Sequence, residues 1–392
     1  MHLEYTPEQR ALRKELREYF AAIMTPETRH AVLTAGESPE PFRTIVRKLG
    51  SDGWLGVGWP KEVGGQGLGA VEQFIMFDEV QRAGVPYPFV TVNTVGPTIM
   101  KYGNDEQKDR FLKGILAGEI NFAIGYSEPS AGTDLASLRT TAVLDGAEWV
   151  VNGNKIFTSG AEKSDYVWLA VRTEPDVAKH KGISILLVPT SSEGFKWTPI
   201  TTVGGVTTSA TYYDNVRVPS ANLMVERGAG WQLITNQLNH ERVALAALGG
   251  NCWRLWGEVR EWAANTDAPE GGKLIDRAWV RADLARCYVK LEAMKLINWK
   301  LTGDILKDRL GPADSSAVKF YGTETHVEVY RAMLGILGGA GWLRYGSRGA
   351  LLHGEVERMG RAAQINTFGG GVNEVQREIV AAAGLGMARR AR

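Results

Sequence analysis

The spacing of apolar residues changes twice along this 392-residue chain, and a run patterned for one kind of secondary structure cannot bury its apolar face as the other. The stretch "TPEQRALRKELREYFAAIM" offers Thr6 as a cap, Pro7 at the first helical position, and Leu12, Leu16, Tyr19 and Ile23 at helical spacing, which predicts a helix. Helical patterns continue through "FRTIVRKLG", "AVEQFIMFDEVQRAG" and "DEQKDRFLKGILAG", interrupted by the glycine-rich "GWPKEVGGQGLG", which reads as an exposed loop. The pattern then turns to β. "EWVVNGNKIF" sets Asn152 and Gly153 between two β-rich runs, a hairpin signal, and "DYVWLAV", "GISILLVP" and "TYYDNVRVP" follow. After "ERGAGW" helical spacing returns in "WQLITNQLNHERVALAAL", "RAWVRADLARCYVKLEAMKLINWKL" and "SSAVKFYGTETHVEVYRAMLGIL". These tracts predict an α+β chain: a helical domain at 1–121, a β domain at 122–228 and a helical bundle at 229–392.

The 45 basic and 44 acidic side chains nearly cancel, and the "ARRAR" tail reads as a frayed end, so neither nucleic acid nor an anionic membrane is an expected partner. No apolar run approaches membrane-spanning length, and "MHLEYTPEQRALRKEL" lacks the apolar core of a secretory signal. Cys252 and Cys287 are too few and too far apart to suggest a disulfide framework or a metal site, which fits a reducing cytoplasm. The six histidines never take HExxH spacing, and neither GxxxxGK[ST] nor GxGxxG occurs; a zinc hydrolase, a P-loop enzyme and a standard dinucleotide fold all lose support, and no metal is expected.

Two features point to chemistry. In "INTFGGGVNEVQREIV", Gly369, Gly370 and Gly371 let the backbone pass close to something flat, with no carboxylate among them. In "WQLITNQLNHERVALAAL", Ile234, Leu238, Leu245 and Leu248 form one helical stripe, and Glu241 continues it. An ionised glutamate is rarely buried without a partner, and Gln237 and Leu245, one turn away, offer no cation. Desolvation would raise its pKa toward neutrality, as a general base requires. The spacing also allows a rotated helix in which Glu241 pairs with a distant arginine, or a stripe at a bundle edge, and by itself it favours such a structural role.

"IGYSEPSAGTDLASLRTTA" resembles the flavin-cradling segment of the acyl-CoA dehydrogenase family, which has the form TEPxAGSD followed by a basic residue and TxA. "NGNKIFTSGAEKSDY" is similar to the family's second flavin segment, "RVPSANL" to its β-domain exit, and "ILGGAGW" with "GGGVNEVQREIVA" to its C-terminal elements. The resemblance covers nearly the whole chain. It implies an N-terminal helical bundle, a central β-barrel or sandwich, a C-terminal four-helix bundle, and FAD as cofactor. By position, Ser127 and the backbone around Tyr126 would meet the flavin pyrimidine, and Thr133 would lie near the pyrophosphates. Phe157 would replace the usual Trp beside the isoalloxazine, and Ser159 a Thr hydrogen-bonded at N5. From the residues alone, Phe157 reads as a core strand residue and Ser159 as a turn residue.

In many family members the base is a Glu one residue before the Gly of a Y-E-G-T loop; counted back from "NEVQR", that place is Gly370 here. Another branch, with the isovaleryl- and long-chain-type enzymes, carries its base in an "ER" pair on the first long C-terminal helix, and "NHER" puts Glu241 there, with Arg242 matching the family's Arg at the substrate. The resemblance therefore implies that Glu241 takes the α-proton of an acyl-CoA while a β-hydride passes to the flavin, giving a trans-2-enoyl-CoA. The backbone N–H of Gly370 would polarise the thioester carbonyl, a task that needs no side chain. An electron-transferring flavoprotein would be the acceptor.

The chain also departs from the pattern. Homotetrameric members bind the far half of FAD with an R-x-x-F-G segment from a neighbouring subunit, and "TDAPEGGKLIDRAWVRADL" contains none. Gly335 stands where a Gln usually contacts the cofactor across the dimer, and Arg361–Ala362 replaces a usual R-D pair. A homologous partner subunit in an α2β2 assembly is expected, as in the actinobacterial dehydrogenases of steroid side-chain CoA thioesters. Two other readings share the fold: a non-catalytic structural subunit, and an oxygen-using flavin oxidase or monooxygenase.

Overall fold

At the start of helix α1 (Pro7–Ile23), the Thr6 hydroxyl accepts the Gln9 amide at 3.2 Å while the Gln9 side chain accepts the Thr6 amide at 3.0 Å. This capping box satisfies two of the donors that a helix start leaves open, and Pro7 needs no donor there. The computed structural model describes residues 4–235, 237, 249–307 and 309–387. Helices α2 (Pro26–Thr34), α3 (Glu40–Ser51), α4 (Ala70–Ala83), α5 (Gly96–Tyr102) and α6 (Asp105–Leu116) complete the first helical part. Leu16 and Phe20 of α1 pack with Ile45 and Leu49 of α3 and with Ile75 and Val80 of α4 in one core.

Eight strands follow as a single sheet: β1 (Phe122–Gly125), β2 (Thr141–Asp145), β3 (Glu148–Lys155), β4 (Tyr166–Arg172), β5 (Ile183–Pro189), β6 (Phe195–Thr201), β7 (Thr207–Pro219) and β8 (Leu223–Met224). Their order is β6-β7-β3-β2-β4-β5-β8, with β1 alongside β4 in parallel. Strands β4 and β5 are apolar on both faces, and the pleat sends alternate residues to different cores. Trp168, Ala170, Ile185 and Leu187 join the core of the first helices, whereas Val167, Leu169, Leu186 and Val188 pack with Val151, Val216 and Val218 on the opposite face.

The hairpin expected at Asn152–Gly153 is not there. Strand β3 runs through both residues, and the turn falls at Gly146–Ala147, between the paired Asp145 and Glu148. Gly146 has φ 63° while Ala147 does not, the signature of a two-residue type II′ turn. Asn152 and Gly153 instead make a bulge where the register of β3 against β7 shifts. The Asn152 amide oxygen accepts the Asn215 N–H at 2.9 Å, and Gly153 takes φ 143°. A Cβ there would lie 2.7 Å from Thr140 Cα, so only glycine fits.

Helical structure resumes at residues 230–235 and continues in α7 (Gly249–Asn265), α8 (Ala278–Leu306), α9 (Pro312–Leu337), α10 (Glu355–Ala362) and α11 (Asn373–Ile379). Cys252, Leu255 and Val259 of α7 pack against Val280, Leu284 and Leu291 of α8 and against Val329, Tyr330 and Met333 of α9. Both cysteines are free and buried, and burial pushes Cys252 up to about 12 and Cys287 up to about 11, which favours the protonated thiol. No helix among the described residues is long and apolar enough to cross a membrane, and no group of three or more His, Cys, Asp or Glu there could hold a metal ion.

Gly153→Ala is expected to cost about 1–3 kcal/mol, because it adds backbone strain to a steric clash at the bulge. Chemical denaturation of the purified protein measures it, and Gly257→Ala, at a helical glycine with nothing within 4 Å, is the control.

Candidate functional site

Lys155 ends β3 with its side chain fully buried, and its ammonium donates to Glu128 Oε1 at 2.9 Å and to the Tyr126 carbonyl at 3.1 Å. Glu128 is buried as well; its carboxylate also accepts the Thr140 amide at 2.8 Å and the Arg139 amide at 2.7 Å. One residue further on, the Ile156 amide donates to the Ser127 carbonyl at 2.9 Å. The loop after β1 is thus stitched to the end of β3. Burial alone would raise Glu128, but the Lys155 ammonium and the two amides outweigh it and hold the carboxyl below its usual range. Burial pulls Lys155 the other way, down to about 8, against the attraction of Glu128.

The sequence-predicted residues Tyr126, Ser127, Phe157 and Ser159 come together around this stitch. Tyr126 and Ser127 are half-buried, and the Tyr126 hydroxyl accepts the Trp168 indole N–H at 3.0 Å while donating to the side-chain oxygen of Gln237. Phe157 is not a core strand residue. It lies beyond the end of β3, 59% exposed, with φ 62°. A bulky residue in the left-handed region is an outlier that its surroundings must impose, at about 1–3 kcal/mol. Ser159, exposed, shares a hydrogen bond with the Thr208 hydroxyl of β7 at 2.9 Å, and the Thr158 amide donates to the Ser209 carbonyl at 2.9 Å.

Thr133 stands apart: it is exposed in the loop before a short turn at Leu135–Ser137, and among the described residues no hydrogen bond joins it to that group. Gly370, with φ 67°, lies between α10 and α11 in the exposed glycine loop. Glu241 and Arg242 lie outside the described residues. The helix that begins at 230 buries Leu233, Ile234 and Gln237, and Gln237 ties it to Tyr126.

An aromatic ring held out of the core on strained backbone, near a half-buried Ser-Tyr pair and the Ser159 hydroxyl paired with Thr208 of β7, suits a flat ligand with a polar edge, and the residues fit a flavin. Sequence reading passed over Glu128, Lys155, Trp168 and Gln237. A charge at Lys155, next to the β-rich run of β3, was the available signal, since lysine is almost never fully buried unless paired. Nothing in the pattern signalled Trp168 or Gln237.

The acyl-CoA dehydrogenase N-terminal domain matches residues 6–119, the middle domain 123–216 and the C-terminal domain 228–385. "Acyl-CoA dehydrogenase FadE26" of Mycobacterium tuberculosis is 55% identical, over 99% of this chain and 99% of its own. Among solved structures, the Tcur3481-Tcur3483 steroid ACAD is 57% identical with a TM-score of 0.94, covering 99% of this chain and 100% of that one. The ChsE4-ChsE5 complex from Mycobacterium tuberculosis is 55% identical with the same score of 0.94 and the same coverage, 99% and 100%.

Lys155→Met is expected to cost about 3–5 kcal/mol by leaving Glu128 buried without its cation, and Lys155→Met/Glu128→Gln less than the sum of the two single changes; denaturant titration of the four forms gives the cycle. Between about pH 8 and the ordinary lysine value of 10.5, the unfolded chain holds a proton that folded Lys155 has released. In that window this group makes stability rise with pH, and the Lys155→Met protein is expected to lack that share of the slope.

Proposed function

The chain belongs to the acyl-CoA dehydrogenase family, and on that premise we propose that it acts on a bulky or branched acyl-CoA thioester of the steroid side-chain class. The observation that carries the substrate class is its full-length likeness, at 57% identity, to a steroid ACAD. The residues assigned to FAD are Tyr126 and Ser127 at the pyrimidine edge, Phe157 beside the ring, Ser159 at N5 and Thr133 toward the pyrophosphates. The domains are taken as 1–121, 122–228 and 229–392, and the cytoplasm as the compartment.

Glu241 takes the α-proton. Gly370 donates its backbone N–H to the thioester carbonyl, so that negative charge gathering on that oxygen meets a fixed donor. Arg242 borders the substrate. Phe157 would keep water from the ring face, the Lys155–Glu128 pair fixes the Tyr126 carbonyl against the end of β3, and the Ile156 amide fixes the Ser127 carbonyl there. When bound, FAD would supply the acceptor for a hydride from the β-carbon, and an electron-transferring flavoprotein is the proposed external acceptor.

The chain works with a homologous subunit. Gly335 is exposed with no atom within 4 Å of where a Cβ would stand, so α9 offers a partner's cofactor no side chain at this position. Arg361 is committed within its own chain, to Glu357 Oε1 at 2.6 Å and to the Val203 carbonyl. Both features, with the missing R-x-x-F-G segment, support a heteromeric assembly in which the partner completes the FAD site.

Glu241→Gln is expected to lower turnover by about 10²–10⁴-fold while FAD content stays unchanged; unaltered turnover would mean that the chain is a scaffold for its partner. Peroxide formation without an added acceptor would show an oxidase instead. Visible spectra of the chain alone and co-expressed with its homologous subunit are expected to show a flavin band only for the pair.

A further inference from the structure

Three glycines in a row carry no side chain by which a fold can hold them, and an unheld glycine segment keeps more conformational freedom than any other. The loop at 369–371 is nonetheless gripped at both ends through its backbone. On one side the Gly369 amide donates to the Ile365 carbonyl at 2.7 Å. On the other, Lys319 of α9, buried in the helical core, donates from its ammonium to the Gly371 carbonyl at 2.6 Å. Gly370 sits between these two anchors with φ 67°, and Gly371 follows at φ 102°.

The ammonium is itself held in place. It also donates to Asn373 Oδ1 at 2.7 Å, and the Asn373 amide group donates to Thr323 Oγ1 and to Glu324 Oε1, each at 3.1 Å. Glu324 reaches on to Arg377 at 2.6 Å. Thr323 and Glu324 lie about one turn beyond Lys319 on α9, whereas Asn373 and Arg377 lie one turn apart on α11. A rigid pair of helices thereby fixes a carbonyl in a segment that has no side chains of its own.

We infer that Lys319 is a positioning residue for the dehydrogenation: by holding the Gly371 carbonyl, it aims the Gly370 N–H at the thioester oxygen. The inference rests on the proposed role of Gly370. A donor of this kind works only if it is already oriented when charge develops, and a displacement of about 1 Å can cost about 10²-fold in rate. Lys319 touches neither substrate nor cofactor in this scheme. It acts through the backbone of Gly370 and Gly371.

The test uses the holoenzyme formed with the homologous subunit and two non-reacting probes: a 2-enoyl-CoA thioester, and the matching S-alkyl-CoA thioether that lacks the carbonyl. The wild-type protein is expected to prefer the thioester, and Lys319→Met to lose that preference by about tenfold or more, with FAD content and far-UV circular dichroism unchanged and kcat falling more than KM rises. A Lys319→Met protein that keeps the full preference overturns the inference while leaving Gly370 its role. A wild-type protein with no preference overturns the role of Gly370 and the inference with it. Should Lys319→Met not accumulate as holoenzyme, Asn373→Ala, which removes the second acceptor of the ammonium, is read in the same assay: a reduced preference supports the clamp, and an unchanged one overturns it.

Discussion

Burial of β4 and β5 on both faces is the constraint from which the rest of the architecture follows. A strand pair with apolar side chains above and below cannot face water on either side, so one face must be covered by helices and the other by more strands. Trp168 and Leu187 answer to the N-terminal helices, Leu169 and Val188 to β3 and β7. The ends of the strands are where the chain leaves the core, and the loop after β1 meets the end of β3 there. Tyr126, Ser127, Phe157 and Ser159 stand there because the two-sided core brings those ends together, whereas Thr133 does not join them.

Polar groups do the aligning that apolar packing cannot. Hydrophobic contact sets distances loosely, whereas a buried ammonium tolerates few geometries because an unmet donor is costly. Lys155 and Lys319 follow the same logic at different places. Each is a lysine withdrawn from water that grips a backbone carbonyl, Tyr126 in one case and Gly371 in the other, and each has its ammonium fixed by a second side chain, Glu128 or Asn373. Tyr126 extends the first of these networks to Trp168 of β4 and to Gln237.

Local signals were readable where the physics is local. The Thr6–Pro7 start of α1 needs only neighbours along the chain, and it forms as the residues indicate. The Asn152–Gly153 pair shows the opposite. The same dipeptide suits a turn or a bulge, and Thr140 and Asn215, distant in sequence, decide between them. Phe157 behaves similarly, since an aromatic next to a strand reads as core until the backbone turns left-handed and carries it outside.

By itself the sequence determined the α+β order of elements, the family, and the residue types available for flavin and thioester chemistry, because period, caps and motifs are properties of neighbours along the chain. Only the tertiary structure decided which lysines are buried, which carbonyls they hold and where the hairpin turns. Those outcomes depend on pairings between segments far apart in sequence, such as Lys319 with Gly371 and Gly153 with Thr140, and no local pattern encodes the company a side chain keeps once the cores have closed.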